Sequence, residues 1–312
     1  SGFPDIIGKS LLEKRAYVKN NLDQLRKAIM WEPRGHADMY GALVTEPDTP
    51  GADFGVIFIH NEGYSTGCGH AVIALTKMFV ETGLIKKEEP ITEVNMDVPS
   101  GFIRAFAKVE NEKVKSIGFC NVPSFVQHLD LVIDIPGIGN IQYDLAFGGA
   151  YYAFVEVEQV GLDCTQEYHN ELIEKGVMIK NAISKSVRLD HPTEPEMNFL
   201  YGTIFTGLPK NVNNHSRNVC IFANGEVDRS PTGTGVSARA AIHYKRGEID
   251  IGDSISIESI IGSVFTVKVK ETINFGKYEA IIPEVSGTAY LTGKNSFWIN
   301  PEDPLKDGFI LR

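Results

Sequence analysis

The sequence predicts an α+β fold composed of two related halves. Two observations indicate it. Short runs of apolar and β-branched residues typical of strands occupy most of the chain, and only a few segments show helical spacing. In addition, one glycine-rich turn that leads into a helix occurs twice at an offset of 164 residues, so that Cys68 aligns with Thr232 and Gly69 with Gly233. We therefore expect two mainly antiparallel sheets, each with one embedded helix, rather than regular βαβ alternation.

The first half contains two predicted helices. Over residues 8–30, apolar residues recur at helical spacing among charged neighbours. A second helix is expected over residues 69–82, because Gly83 stands where a helix of about four turns takes a glycine cap. The predicted strands of this half cover residues 42–45, 55–60, 92–98, 102–110 and 114–119.

The second half repeats this order. Its helices are expected over residues 166–186 and 233–245, and the latter ends before Gly247, the counterpart of Gly83. Its predicted strands cover residues 129–135, 141–146, 150–156, 197–206, 216–222, 254–260, 264–269 and 278–292.

The predicted boundary between the halves lies at the crossing over residues 121–123. We expect a first half of residues 1–121, which the loop-like C-terminal residues 293–312 join by packing back on it. The second half then consists of residues 122–292.

Composition limits the possible partners. The chain has 312 residues, of which 43% are hydrophobic, and no apolar run approaches the ~20 residues of a membrane span. The net charge of −10 argues against nucleic acid and anionic membrane surfaces as partners. A small anionic substrate remains compatible with it, because a local site can oppose the overall field.

The cysteines and histidines indicate neither a disulfide scaffold nor a metal site. Four cysteines are too few for a scaffold in a chain of this length, which favours the reducing cytoplasm. No signal peptide is visible, although the chain starts at Ser1 without Met. The histidines show no HxH or HExxH spacing, and there is no P-loop or complete dinucleotide fingerprint. We expect no metal and no cofactor.

The first turn combines a thiol with an anion-binding geometry. Cys68 lies between Gly67 and Gly69 at a predicted helix start, where the helix dipole and unpaired N–H groups stabilise negative charge. Thiols in such positions ionise more readily than free cysteine. The backbone N–H groups of Gly69 and His70 are candidate donors to a substrate carboxylate.

The second turn supplies the matching groups without a thiol. Gly233 and Thr234 occupy the positions of further N–H donors, and Thr232 offers a hydroxyl where the first turn has a thiol. Asp228 is a candidate counter-ion for a substrate ammonium group. Two such helix N-termini facing one cleft would form a pocket for a small anion.

Structural interpretations compete with each of these assignments. Considered alone, Cys68 is more often a structural than a catalytic cysteine, and His70 more often a hydrogen-bonded polar side chain. We expect the remaining thiols to be buried without a role, and Phe222 and Tyr64 either to contact the substrate or to pack in the core. The thiols in question are Cys120, Cys164 and Cys220.

These motifs together resemble those of the proline racemase family. The resemblance rests on two segments, Gly67-Cys68-Gly69-His70 and Asp228-Arg229-Ser230-Pro231-Thr232-Gly233-Thr234-Gly235. The stretches Asp134-Ile135-Pro136, Phe147-Gly148-Gly149 and Asn300-Pro301-Glu302-Asp303-Pro304 also fit, so the resemblance covers nearly the whole chain. It implies a diaminopimelate-epimerase-like fold with two pseudo-symmetric halves, an active site between them, no cofactor and a homodimer. It also implies a further strand upstream of Ser1.

One departure from the family pattern concerns the reaction. Family racemases and hydroxyproline epimerases carry cysteine at both turns, whereas Thr232 stands at the second position here. An alcohol is a far weaker acid than a thiol and is poorly suited to deliver a proton to the opposite face of Cα. The Cys/Thr pair resembles instead the trans-3-hydroxy-L-proline dehydratase branch, with Cys68 as the base that removes the Cα proton.

Two alternatives remain open at this point. One is a proline racemase or 4-hydroxyproline 2-epimerase that uses Thr232 or water as its second acid. The other is a protein that binds an amino acid in the same pocket without catalysis.

Overall fold

The computed structural model describes residues 2–311 and contains five α-helices and fifteen strands in that range. The helices are α1 (Leu11–Asn21), α2 (Asp23–Met30), α3 (Gly69–Glu81), α4 (His169–Ser186) and α5 (Gly233–Lys245). The strands up to the crossing are β1 (Tyr40–Thr45), β2 (Phe54–His60), β3 (Tyr64–Ser65), β4 (Ile91–Val98), β5 (Gly101–Glu110) and β6 (Lys113–Cys120). Those after it are β7 (Ser124–Ile135), β8 (Gly139–Phe147), β9 (Tyr151–Glu156), β10 (Leu200–Gly207), β11 (Ser216–Phe222), β12 (Glu226–Val227), β13 (Ser254–Glu258), β14 (Val264–Phe275) and β15 (Tyr278–Gly287).

The α+β class is confirmed, and the internal repeat extends well beyond the two turns. In the first copy, β1 and β2 pair antiparallel, β2 and β4 parallel, and β4, β5 and β6 antiparallel in sequence. In the second copy, β10, β11, β13, β14 and β15 pair in the same way. The helices α3 and α5 begin at aligned glycines, and each has 13 residues.

The predicted glycine caps are confirmed. Gly83 and Gly247 follow the two helices with φ of +75° and +71°, a backbone region that side chains disfavour. Their N–H groups donate to the carbonyl oxygens of Val80 and Tyr244, respectively. Each glycine therefore ends its helix and turns the chain toward the following strand.

Some predicted boundaries are wrong. The helix expected over residues 8–30 is interrupted at Leu22, where the break turns Arg26 inward to donate to the carbonyl oxygens of His60 and Asn61. The last predicted strand, over residues 278–292, ends at Gly287. The two-residue strands β3 and β12 are too short to leave a pattern in the sequence.

The two copies are joined edge to edge in one sheet. Strand β6 pairs antiparallel with β15, and this contact connects the two sets of strands. Apolar residues of α3 and α5 share one buried cluster, so both helices pack in the same core. We propose that the halves divide after residue 121. The bridge between Glu32 and Phe309 supports assigning the C-terminal segment to the first half.

Candidate active site

The two glycine-rich turns meet head to head. A Cβ atom built on Gly69 would lie 2.5 Å from Cα of Gly233, and one built on Gly233 would lie 2.5 Å from Cα of Gly69. No side chain fits at such a distance, so both positions require glycine for this approach. The start of α3, with Cys68 as its N-cap, therefore lies directly against the start of α5, with Thr232 as its N-cap.

A small, nearly closed cavity lies between the turns. Its free volume is about 10 Å³, roughly the space for one water molecule. Cys68 and Thr232 both line it and are 8% and 5% exposed. The complete lining is Tyr40, Gly67, Cys68, Gly69, His70, Tyr152, Tyr201, Cys220, Phe222, Asp228, Thr232, Gly233 and Thr234. All seven residues predicted from the sequence for the site are among them.

Two tyrosine hydroxyls lie close to Cys68. Burial and then the electrostatic interaction with Cys68 raise the pKa of Tyr40 well above its usual value, and the same two causes raise the pKa of Tyr201. Tyr40 also hydrogen-bonds Ser65. Because both phenols remain protonated, they are potential hydrogen-bond donors beside the thiol.

His70 connects the two turns. Its Nδ1 lies 3.1 Å from Oγ of Ser230 and 3.3 Å from Oδ1 of Asp228, both on the second turn. Burial works to lower the pKa of His70, but the interactions with Cys68 and with the Asp228 carboxylate raise it well above its usual value. An imidazolium at this position places a positive charge between the thiol of one turn and the carboxylate of the other.

Asp228 is ionised and already hydrogen-bonded. It accepts from the N–H of Ser230 at 2.8 Å and from Oγ1 of Thr232 at 2.9 Å. Burial works to raise its pKa, but His70 and the donors at Ser230 hold the pKa below the usual range. A carboxylate has about four acceptor positions, so these contacts leave room for about one further donor.

Thr232 differs from Cys68 in backbone as well as in side chain. Its φ is +69°, whereas the φ of Cys68 is −154°. Left-handed geometry at a β-branched residue costs about 1–3 kcal/mol and persists only where surrounding contacts enforce it. The hydroxyl proton of Thr232 is directed at Asp228, because a carboxylate without a proton can only accept.

The first turns of α3 and α5 direct backbone donors at the cavity. Gly69 and His70, and likewise Gly233 and Thr234, are first-turn residues whose N–H groups have no acceptor within their own helix. The side chain of Thr234 is not free, since its Oγ1 lies 2.7 Å from the hydroxyl of Tyr152. Two helix N-termini that converge on one small space have the arrangement that favours binding of a small anion.

Sequence reasoning missed four residues of the cavity. Tyr40, Tyr152 and Tyr201 come from β1, β9 and β10, where an aromatic residue in an apolar run reads as core. Cys220, which we expected to be an incidental buried thiol, is fully buried but lines the cavity on β11. The alignment of the turns gave no signal for any of them, because their contacts depend on strand pairing.

The two aromatic candidates, Phe222 and Tyr64, differ in their position relative to the cavity. Phe222 lines the cavity, with its ring stacked on Tyr201 at a centroid distance of 5.3 Å. Tyr64 does not line it: its hydroxyl donates to Asp23 at 3.1 Å, and its ring packs in the cluster beneath α1 and α2. Core packing is therefore the role of Tyr64.

The glycines at 148 and 149 support the second turn by close packing. A Cβ atom on Gly148 would lie 2.2 Å from the carbonyl oxygen of Thr234, and one on Gly149 would lie 2.9 Å from Cγ2 of the same residue. The Gly149 carbonyl also accepts from Thr66 of the first turn at 3.1 Å. This pair therefore lets β8 and β9 approach the start of α5.

Residues 2–311 contain neither a metal-binding cluster of side chains nor a membrane-spanning helix. No three His, Cys, Asp or Glu side chains are grouped so as to bind a metal ion. None of the helices in that range is long and apolar enough to span a membrane.

Comparisons with known proteins agree with the geometry. The family model described as proline racemase matches residues 1–310. A trans-3-hydroxy-L-proline dehydratase of Colwellia psychrerythraea is 51% identical over 312 residues, which are 100% of this chain and 88% of that protein. A 3-hydroxyproline 2-epimerase of Burkholderia multivorans is 43% identical, with 100% and 93% covered.

A solved structure shows the same fold. The hydroxyproline epimerase of Agrobacterium vitis with bound trans-4-hydroxy-L-proline superposes with a TM-score of 0.93 at 31% identity, covering 99% of this chain and 89% of that one. The match of the family model over nearly the whole chain agrees with the paired turns and the cavity between them. The chain belongs to the proline racemase family.

Proposed function

We propose that the protein is a hydro-lyase that dehydrates trans-3-hydroxy-L-proline to 1-pyrroline-2-carboxylate. The observation that carries this proposal is the asymmetry of the cavity. One turn presents the thiol of Cys68, and the other presents the Thr232 hydroxyl, whose proton is directed at Asp228. A relative with that activity shares 51% of its residues with this chain.

The stereochemistry of the substrate requires only one base. In trans-3-hydroxy-L-proline the hydroxyl is trans to the carboxylate and therefore on the same ring face as the Cα hydrogen. In the proposed mechanism, Cys68 thiolate removes the Cα proton, and the thiol so formed returns that proton to the departing C3 hydroxyl, which leaves as water. The resulting enamine then tautomerises to the imine, 1-pyrroline-2-carboxylate.

The remaining groups bind the substrate and stabilise developing charge. The N–H groups of Gly69, His70, Gly233 and Thr234 donate to the substrate carboxylate, on which charge accumulates as the Cα–H bond breaks. Asp228 uses its remaining acceptor position for the ring ammonium. The cavity is small, and Cys68 and Thr232 are buried in it, so little bulk water surrounds the reacting groups and each of these interactions is strengthened. None of these steps requires a cofactor.

Thr232 explains why elimination is favoured over inversion. Inversion at Cα needs an acid on the face opposite Cys68, and the hydroxyl there is a weak acid whose proton is directed at Asp228. Epimerisation is the second candidate, because a relative 43% identical carries that name. A non-catalytic binding protein is the third, and it requires an unreactive Cys68 with intact ligand binding.

Substrate profiling tests the proposal directly. We expect trans-3-hydroxy-L-proline to give the pyrroline product, and L-proline and trans-4-hydroxy-L-proline to keep their Cα configuration. The products are identified by mass spectrometry and chiral chromatography. Efficient inversion of either control substrate, with no pyrroline from the 3-hydroxy compound, contradicts the dehydratase assignment.

Restoring a second thiol should restore inversion. We expect Thr232→Cys to raise the rate of Cα inversion of trans-4-hydroxy-L-proline by about tenfold or more, because a thiol can protonate the second face. Chiral chromatography of the product measures the effect. Thr76→Cys is the matched control, since it adds a thiol at a buried position of α3 outside the cavity. Equal rates in the two variants would show that the second turn does not face Cα.

We further propose that the enzyme acts as a homodimer in the cytoplasm. The family resemblance supports the dimer, and the four free cysteines suit a reducing compartment. Sedimentation analysis of the purified protein tests the first of these statements.

A further inference from the structure

The peptide unit that precedes Thr232 is hydrogen-bonded by side chains at both ends. Its carbonyl oxygen, on Pro231, accepts from Nδ2 of Asn218 at 3.2 Å. Its N–H, on Thr232, donates to Oγ of Ser230 at 3.0 Å. The angle φ is the rotation about the N–Cα bond of Thr232, so this fixed peptide plane on one side and helix α5 on the other together hold φ at +69°.

Asn218 is oriented in turn by a buried arginine. Nη1 of Arg239 donates to Oδ1 of Asn218 at 2.7 Å, and this bond determines which end of the Asn218 amide faces Pro231. Asn218 is fully buried on β11, and Arg239 is 9% exposed on α5, two helical turns beyond Thr232. Burial lowers the pKa of Arg239 to about 10.

The cost of burying this guanidinium requires an explanation. The nearby Arg217 is paired with Glu258. The hydrogen bond found for Arg239 is to a neutral amide, and the Glu248 and Glu156 carboxylates act on it as neighbouring charges without a salt bridge among residues 2–311. Buried cations are costly unless they are paired and hydrogen-bonded. In the first turn, Cys68 has an extended backbone that needs no external support.

We propose that Asn218 and Arg239 are positioning residues that hold Thr232 in its left-handed conformation and so fix the second face of the substrate pocket. Arg239 orients the Asn218 amide, Asn218 orients the Pro231 carbonyl, and that peptide plane directs the Thr232 hydroxyl toward Asp228. Neither residue lines the cavity. The consequence for turnover rests on the function proposed above, whereas the consequence for the backbone does not.

The substitution Asn218→Asp separates the two contacts of this side chain. A carboxylate at this position keeps the acceptor for Arg239 and adds an opposite charge, but it replaces the donor to Pro231 with an acceptor. We expect kcat for trans-3-hydroxy-L-proline to fall about 10- to 100-fold, because the second turn is misplaced. KM should change little, because the N–H groups proposed to donate to the substrate carboxylate remain. If Asn218 served only to pair Arg239, kcat would stay at the wild-type value, and the proposal would be overturned.

A double-mutant cycle tests the backbone role without any substrate. Glycine adopts positive φ freely, so Thr232→Gly removes the need for support. We expect Asn218→Ala to raise the equilibrium constant for unfolding in both backgrounds. The rise should be about 5- to 150-fold larger in the wild-type background than in the Thr232→Gly background. Urea unfolding of all four proteins measures this factor, and additive effects of the two substitutions would overturn the proposal.

The matched control is Thr203→Val. It removes an equally buried side-chain hydrogen bond to a carbonyl, from Thr203 to Gly176 at 3.0 Å on the neighbouring β10. Its destabilisation should be the same in both backgrounds.

A further comparison uses Arg239→Lys and Arg239→Met: the lysine retains a donor for Asn218 and should recover part of the kcat that the methionine loses. Equal kcat values for these two variants would contradict the role of Arg239. Failure of the wild-type protein to dehydrate the substrate would refute the proposed function and leave the unfolding cycle intact.

Discussion

Replacement of Cys68 by serine is expected to lower kcat for trans-3-hydroxy-L-proline by about 10²–10⁴-fold. The serine hydroxyl occupies nearly the same space, but it does not ionise in the range where a thiol does. The helix N-terminus, the two tyrosine hydroxyls and the contacts of His70 with Asp228 and Ser230 remain in place around it. The loss therefore measures the base itself. Initial rates of pyrroline formation give kcat, and isothermal titration of the inactive variant shows whether the substrate still binds.

Cys164→Ser is the control for this experiment. Cys164 is fully buried, and its thiol donates to the carbonyl oxygen of Phe205 at 3.7 Å, away from the cavity. We expect its kcat to be close to that of the wild type. If Cys68→Ser kept more than about one tenth of the wild-type kcat, a different group would have to be the base.

Replacement of Gly233 by alanine is expected to cause the second large loss. The new Cβ would lie 2.5 Å from Cα of Gly69, and this contact is with backbone, so no rotamer change relieves it. The starts of α3 and α5 must then move apart. This movement separates the N–H groups of the two halves that are proposed to donate to the substrate carboxylate. Overpacking of this kind costs about 1–3 kcal/mol in stability. A displacement of about 1 Å in a catalytic site costs up to about 100-fold in rate.

Gly63→Ala is the matched control for this substitution. A Cβ atom on Gly63 meets no atom within 4 Å, and Gly63 has no positive φ. Thermal unfolding and kcat/KM should therefore both remain near the wild-type values for Gly63→Ala and fall for Gly233→Ala. An unfolding midpoint and a kcat/KM for Gly233→Ala that match the wild type would show that the head-to-head contact of the turns is not needed in solution.

Much of the fold was predictable because the chain carries its own repeat. The alignment of Cys68 with Thr232 predicted two corresponding helices with glycine caps, and α3 and α5 each have 13 residues. A glycine cap and helical periodicity each depend on only a few neighbouring residues, so both can be recognised in the sequence. The break at Leu22 was not predictable, because it serves the contact of Arg26 with carbonyl oxygens 34 and 35 residues away.

The residues of the candidate site also divide into those that the local sequence predicted and those that only strand pairing brings together. Every site residue that the sequence supplied lies in one of the two turns or, like Asp228, a few residues before it. Tyr40, Tyr201 and Cys220 reach the cavity from separate strands. Their proximity depends on the register of pairings such as β10 with β11, which no local pattern specifies.

The sequence by itself determined the chemical asymmetry of this protein, a thiol on one turn and a hydroxyl on its counterpart. That difference is a matter of residue identity and needs no coordinates. Only the tertiary structure decided that the Thr232 hydroxyl faces Asp228, that His70 connects the two turns, and that Thr232 has a left-handed backbone. These features arise from hydrogen bonds between groups brought together by sheet pairing and by the approach of Gly69 to Gly233, so they exist only once the two halves are assembled.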